Sequence, residues 1–143
     1  MDQLHDATKI VILFAGSMFL WALLLGALKY RQILRSPDHR AHPYTDIAHR
    51  AALLYSFALL LVSAFVQFGK WSFSVNLAAA SAMAAYFAMA VAGYMWHGLL
   101  KDTENQFAPA SGGIRAFMVS LMTVEIGAWL ILMAGFVDSQ FVH

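Results

Sequence analysis

Four long apolar stretches, separated by short polar connections, decide what this chain of 143 residues can fold into. They run roughly over Thr8–Leu28, Asp46–Phe68, Ser72–Leu100 and Ile114–Val137. Each reaches the ~20 residues needed to cross the hydrocarbon core of a bilayer. No water is present there to satisfy backbone amides and carbonyls, so each stretch must form its own hydrogen bonds as an α-helix. The expected fold is an all-α integral membrane protein, a four-transmembrane-helix bundle forming a single membrane domain over residues 1–143. Composition supports this: 61% of residues are hydrophobic, 12% are charged and the mean hydropathy is +0.64, values outside the range of soluble domains.

The same composition removes whole classes of function. A net charge of +1 offers nothing to nucleic acid. With no cysteine, disulfides, iron–sulfur clusters and thiolate-ligated haem are excluded within the chain. Asp2 and Asp6 oppose the positive region a cleaved signal peptide needs, so the first apolar stretch is expected to remain in the mature protein. Lys29, Arg31, Arg35, Arg40, Arg50, Lys101 and Arg115 fall on the side of the first and third connections, against Lys9 and Lys70 on the other. The positive-inside rule then places both termini on the non-cytoplasmic side, as in a multi-pass protein of a bacterial inner membrane.

Punctuation between the stretches is clear. Gly69-Lys70 sets a tight hairpin, Ser111-Gly112-Gly113 precedes the last stretch, and Pro37 and Pro43 break the first connection. Thr45 or Asp46 is the expected N-cap of the second helix, with His49 in its first turn. A helix N-terminus disfavours imidazolium, so His49 is expected to be neutral, the form that ligates a metal or a haem iron. His97 lies at the end of the third stretch, and both histidines share the cytoplasmic end with the connection Asp102–Gly113.

Projected at about 100° per residue, His49, Ser56, Ser63 and Gln67 fall within about 40° of one line on the second helix. His97, Tyr94, Tyr86, Met83 and Asn76 fall within about 80° on the third. Such stripes line a cavity or bond helix to helix, and the alanines at 78–80, 82, 84 and 85 suit close packing. Arg50, Arg40, Lys101 and Arg115 lie at the level of the histidines and suit haem propionates, although a positive-inside loop carries such residues in any case. Glu125 falls near the membrane midplane, where a carboxyl bridges helices, carries a proton or meets a substrate. The first stretch is nearly featureless, with Gly16, Ser17 and Trp21 its notable residues, and the eight methionines read as packing residues.

Ala48-His49, followed by Leu54 and a long apolar helix, resembles the start of the second helix in styrene oxide isomerases, and the related hydroxylaminobenzene mutases carry a similar Ala-His element. An ungapped alignment on His49 puts Tyr94 on a tyrosine of the isomerase active site, and Asn105-Gln106-Phe107 with Pro109 resembles the family's Asn-Gln-Phe-x-Pro element after a short gap. The resemblance spans roughly Ile47 to Phe136. It implies a four-helix homotrimer with haem b between neighbouring subunits and His49 as the single axial ligand of its iron. The ferric iron then acts as a Lewis acid on a small lipophilic oxygenated substrate, an epoxide or an aryl hydroxylamine. Tyr94 would contact the substrate oxygen, while Asn105 and Gln106 cap the cavity. The family's asparagine six residues beyond the axial histidine is Tyr55 here, and its third-helix aspartate is Tyr86, so these two tyrosines would line the pocket in their place.

Two rivals follow from the residues themselves. His49 and His97, at one depth on helices joined by a short hairpin, suit a bis-histidine membrane cytochrome. Glu125 suits a cofactor-free small transporter or scaffold.

Overall fold

The computed structural model describes residues 4–108 and 111–142. Asp2 and Pro109, which enter the sequence argument above, lie outside the described residues. Four helices follow one another: α1 (Asp6–Arg35), α2 (Pro43–Phe68), α3 (Phe73–Leu100) and α4 (Gly112–Phe141), with no strand among the described residues. All four are long and apolar enough to cross a membrane.

Three of the helices outrun their apolar stretches at one end or both, and α3 matches its own to within one residue. α1 was expected to stop near Leu28 and continues to Arg35. Nothing in Lys29–Arg35 breaks a helix, and the stop comes only where Ser36 precedes Pro37 and takes an extended ψ of 135°. α2 starts at Pro43 rather than at Asp46. Neither Thr45 nor Asp46 is its N-cap; His42 is, and its ring Nδ1 accepts the Tyr44 amide at 3.3 Å. Pro43 is the first helical residue, where a fixed φ helps and a missing N–H costs nothing. His49 therefore lies in the second turn of α2, not the first. Gly112 and Gly113 fall inside the first turn of α4, where the Ser111 hydroxyl accepts the Ile114 amide at 3.2 Å.

α1 and α2 form the tightest pair. The buried face of α1 is Ala7, Val11, Ala15, Met18, Ala22 and Leu25, and α2 presents Ala48, Ala52, Leu59, Val62 and Val66. Small residues at this spacing let two backbones approach closely, which matters in lipid because apolar side chains gain nothing by leaving one oily medium for another. Polar side chains fasten the ends. The Gln67 carbonyl oxygen accepts the His5 amide at 3.0 Å, Gln32 donates to the Gly98 carbonyl at 3.0 Å, and its own carbonyl accepts the His42 amide at 3.0 Å. Asn76, a buried member of the α3 stripe, donates to the Trp71 carbonyl at 3.0 Å and closes the α2–α3 hairpin.

α4 is the outlying helix. It touches α2 and α3 but not α1. Its C-terminal half is tied down by Trp71, which donates to the Ile131 carbonyl at 2.6 Å, and by the Lys70–Asp138 ion pair at 2.6 Å. Outside the bundle, large apolar side chains such as Leu13, Leu54 and Phe57 are 67%, 70% and 61% exposed, a surface that lipid solvates and water does not.

At the N-terminal end of α2, that helix and α3 meet through Gly98. A Cβ there would lie 2.7 Å from the Thr45 amide nitrogen and 3.1 Å from its Cα, both backbone atoms that cannot turn aside. Gly98→Ala is expected to prise the two helices apart and cost about 1–3 kcal/mol. The midpoint of unfolding in detergent measures this, and an unchanged midpoint would refute the close approach.

Candidate functional site

His49 sits on the α1 side of α2, half-buried. Its Nδ1 lies 2.9 Å from the Ala22 carbonyl oxygen. A carbonyl only accepts, so Nδ1 carries the proton and, in the neutral ring, Nε2 holds the free lone pair. The tautomer is thus set by a neighbouring helix. The macrodipole argument loses force beyond the first turn. The ring lies across Gly26, where an ideal Cβ would be 3.0 Å from Cε1 and 3.7 Å from Nε2. Glycine at position 26 leaves the room that the imidazole occupies. One helical turn further along, Lys29 meets the Asp46 carboxylate at 2.5 Å, and Arg50 reaches its other oxygen at 3.1 Å. Arg50, expected beside the propionates of a haem, is exposed and already engaged with Asp46.

Ala22, Gly26 and Lys29 thus make α1 a wall of this site. Sequence reasoning passed them over. Ala22 contributes a backbone oxygen and so leaves no side-chain signal. Gly26 did leave one, because a glycine inside a helix costs up to about 1 kcal/mol relative to alanine and asks for a reason.

The other candidate residues gather elsewhere. Between α3 and α4, toward the C-terminal end of α3, lies a cavity of about 200 Å³ whose walls include Gly93, Tyr94, Gln106, Phe117, Met118 and Leu121. Tyr94 and Gln106 are its polar members. The Gln106 amide donates to the Tyr44 hydroxyl at 2.7 Å, so the connection after α3 is held down on a buried tyrosine of α2. The Tyr44 ring stacks on Tyr94, centroids 6.0 Å apart, and tilts against His97 at 5.4 Å. His97 Nδ1 donates to Asp102 at 2.8 Å, and this bond holds the Asp102 carboxyl below the usual carboxylate range. Asn105 shapes the turn: its amide donates to Thr103 and its side-chain oxygen accepts the Phe107 amide, each at 3.0 Å. Tyr86 reaches the cavity through Phe117, ring centroids 5.9 Å apart, and Tyr55 stacks flat on Phe87 at 4.1 Å.

His49 and this cavity look to different sides. Six residues of helix carry Tyr55 about 120° around α2 from His49, and Tyr44, on which His97 packs, is about 140° away. The helix behind His49 is α1, and the helix closing the cavity is α4, which α1 does not touch. One chain therefore keeps His49 apart from both His97 and Tyr94. Among the described residues no three His, Asp or Glu side chains converge as a metal-binding group.

The α2 stripe faces α1, as its two ends show: His49 meets Ala22 and Gln67 meets His5. Its middle is spent locally, with Ser56 donating to the Leu53 carbonyl at 2.6 Å and Ser63 to the Leu60 carbonyl at 2.7 Å. No family model, curated protein or solved structure matches the chain.

Tyr44→Phe removes the acceptor under Gln106 and keeps the ring stack. It is expected to cost about 1 kcal/mol and to speed hydrogen exchange at the Gln106 amide several-fold, read by mass spectrometry. Unaltered exchange would mean that Tyr44 does not hold the connection.

Proposed function

We propose that this chain is a multi-pass inner-membrane protein of a bacterium, with both termini on the non-cytoplasmic side. In this reading it binds haem b through His49 and rearranges a small lipophilic oxygenated molecule, as in the isomerases and mutases it resembles. The observation that carries the proposal is the hydrogen bond from His49 Nδ1 to the Ala22 carbonyl. Histidines that ligate metals are held in this way, with one ring nitrogen donating to a carbonyl or carboxylate and the other left as ligand. The donor set fits haem better than a bare ion. A lone histidine suffices where a porphyrin supplies the other ligands, and Asp46, three residues before His49 on α2, is engaged with Lys29 and Arg50.

Held by His49, ferric haem would supply a Lewis acid for a substrate oxygen. The chain's own residues do the rest. His49 Nε2 would hold the iron, and Gly26 keeps the ring free to turn only within its slot. Lys29 and Arg50, sharing Asp46, bring net positive charge to the same end of the helix pair and would neutralise propionates. Tyr94 and Gln106 would orient the oxygen of a molecule bound in the apolar cavity, which admits a small ring compound from the bilayer.

His49 and the cavity face apart, so a site using both joins the His49 side of one copy to the Tyr94 side of another. This supports the homotrimer that the resemblance implies, with the cofactor between subunits.

The purified protein is expected to show a Soret band with the high-spin ferric signature of a single axial histidine, and His49→Ala is expected to abolish it. Unchanged absorption in that variant removes the assignment. Gly26→Leu tests the slot separately. It leaves the ligand in place but drives a side chain into the ring, so haem content is expected to fall at least tenfold, and full retention would show that the slot does not position His49.

A further inference from the structure

Glu125 is a carboxyl without an internal counter-ion. It lies four residues beyond Leu121 on α4, one turn deeper into the bundle than the cavity that Met118 and Leu121 help to wall. Its Oε1 is buried and has no hydrogen-bond partner. Among the described residues it pairs with no Lys, Arg or His; the ion pairs lie at the helix ends. Tyr94 lines that cavity. Phe117 adds a further aromatic wall.

An orphaned acceptor of this kind is costly in an apolar bundle. A ligand that brings a positive charge and an apolar ring repays that cost twice. The ammonium meets the field of the carboxylate in a medium where charges act strongly over several ångströms. The ring faces of Tyr94 and Phe117 attract the same cation. We propose that the α3–α4 cavity binds a small lipophilic amine, with Glu125 as its counter-ion. The cavity, about 200 Å³, is sized for a single-ring amine and not for a large dye. The proposal rests on the reading of this cavity as the substrate site, since Tyr94 serves in both.

Titration calorimetry with benzylamine and with benzyl alcohol, equal in size and different in charge, tests it. Wild-type protein is expected to bind benzylamine at least tenfold more tightly than the alcohol. Glu125→Gln is expected to erase that preference while leaving the alcohol's affinity within twofold, which also shows that the variant's cavity is intact. Leu121→Trp, filling the cavity, is expected to weaken both ligands at least tenfold. Glu125→Gln is expected to keep the wild-type Soret band, so that a failure of amine binding is distinguished from a failure of the haem reading. Equal affinity for the two ligands in wild type would overturn the proposal. So would a charge preference that survives Glu125→Gln, or loss of alcohol binding in that variant, which would make Glu125 a structural group.

Discussion

The need of a backbone in lipid to satisfy its own hydrogen bonds shapes everything else in this molecule. Once four stretches are committed to helix, the main chain has no bonds left for holding helices together except at their ends. The side chains that join elements accordingly act at ends and connections. Gln67 takes the first amide of α1, Gln32 joins α1 to α3 and to the start of α2, and Asn76 and Trp71 close the α2–α3 hairpin onto itself and onto α4. Within the bundle, contact is made by small residues that bring backbones near, and it is strongest where alanine recurs on α1 and α2.

This division sets up two unlike regions. The α1–α2 pair is close enough for the side chain of one helix to reach a main-chain oxygen of the other, which is the condition for the His49–Ala22 bond. The α3–α4 pair is fastened in the C-terminal half of α4 by Trp71 and Lys70, and a cavity lies between the two helices toward their other end. Close approach yields a rigid, oriented imidazole; separation yields space for a ligand.

The presence and order of the four helices were legible in the sequence, because the length of an apolar run survives any detail of packing. The ends were not. Histidine is an uncommon N-cap, so His42 gave no warning, and Pro43 read as a break when it served as a first helical residue. Lys29–Arg35 read as loop because charge was equated with the end of helix, whereas a helix leaving the membrane keeps its hydrogen bonds in water as well. The polar stripes were legible as stripes but not in purpose. Ser56 and Ser63 return their protons to their own helix, and Asn76 closes a hairpin, at the spacing a cavity lining would show. Tyr94 and Gln106 do line a cavity, and Tyr44, which the sequence did not single out, holds both in place.

The two regions share α2 but not a wall, and that governs how they can be used. Tyr94 and Leu121, one turn before Glu125, wall one cavity inside one chain, between α3 and α4. His49 and Tyr94 have α2 between them and look outward in different directions, so chemistry that needs both requires a neighbouring copy to supply the missing side. Binding in the cavity is then a property of each subunit, while any reaction at His49 is a property of the assembly. The exposed apolar faces of α1 and α2 are compatible with such a contact, since in lipid a packed neighbour and a lipid tail are nearly equivalent partners. Shape and polar contacts, rather than buried apolar area, would have to select the neighbour. At the His49 side, the polar groups available for that selection are Lys29, Asp46 and Arg50, at the same end of the helix pair as the imidazole.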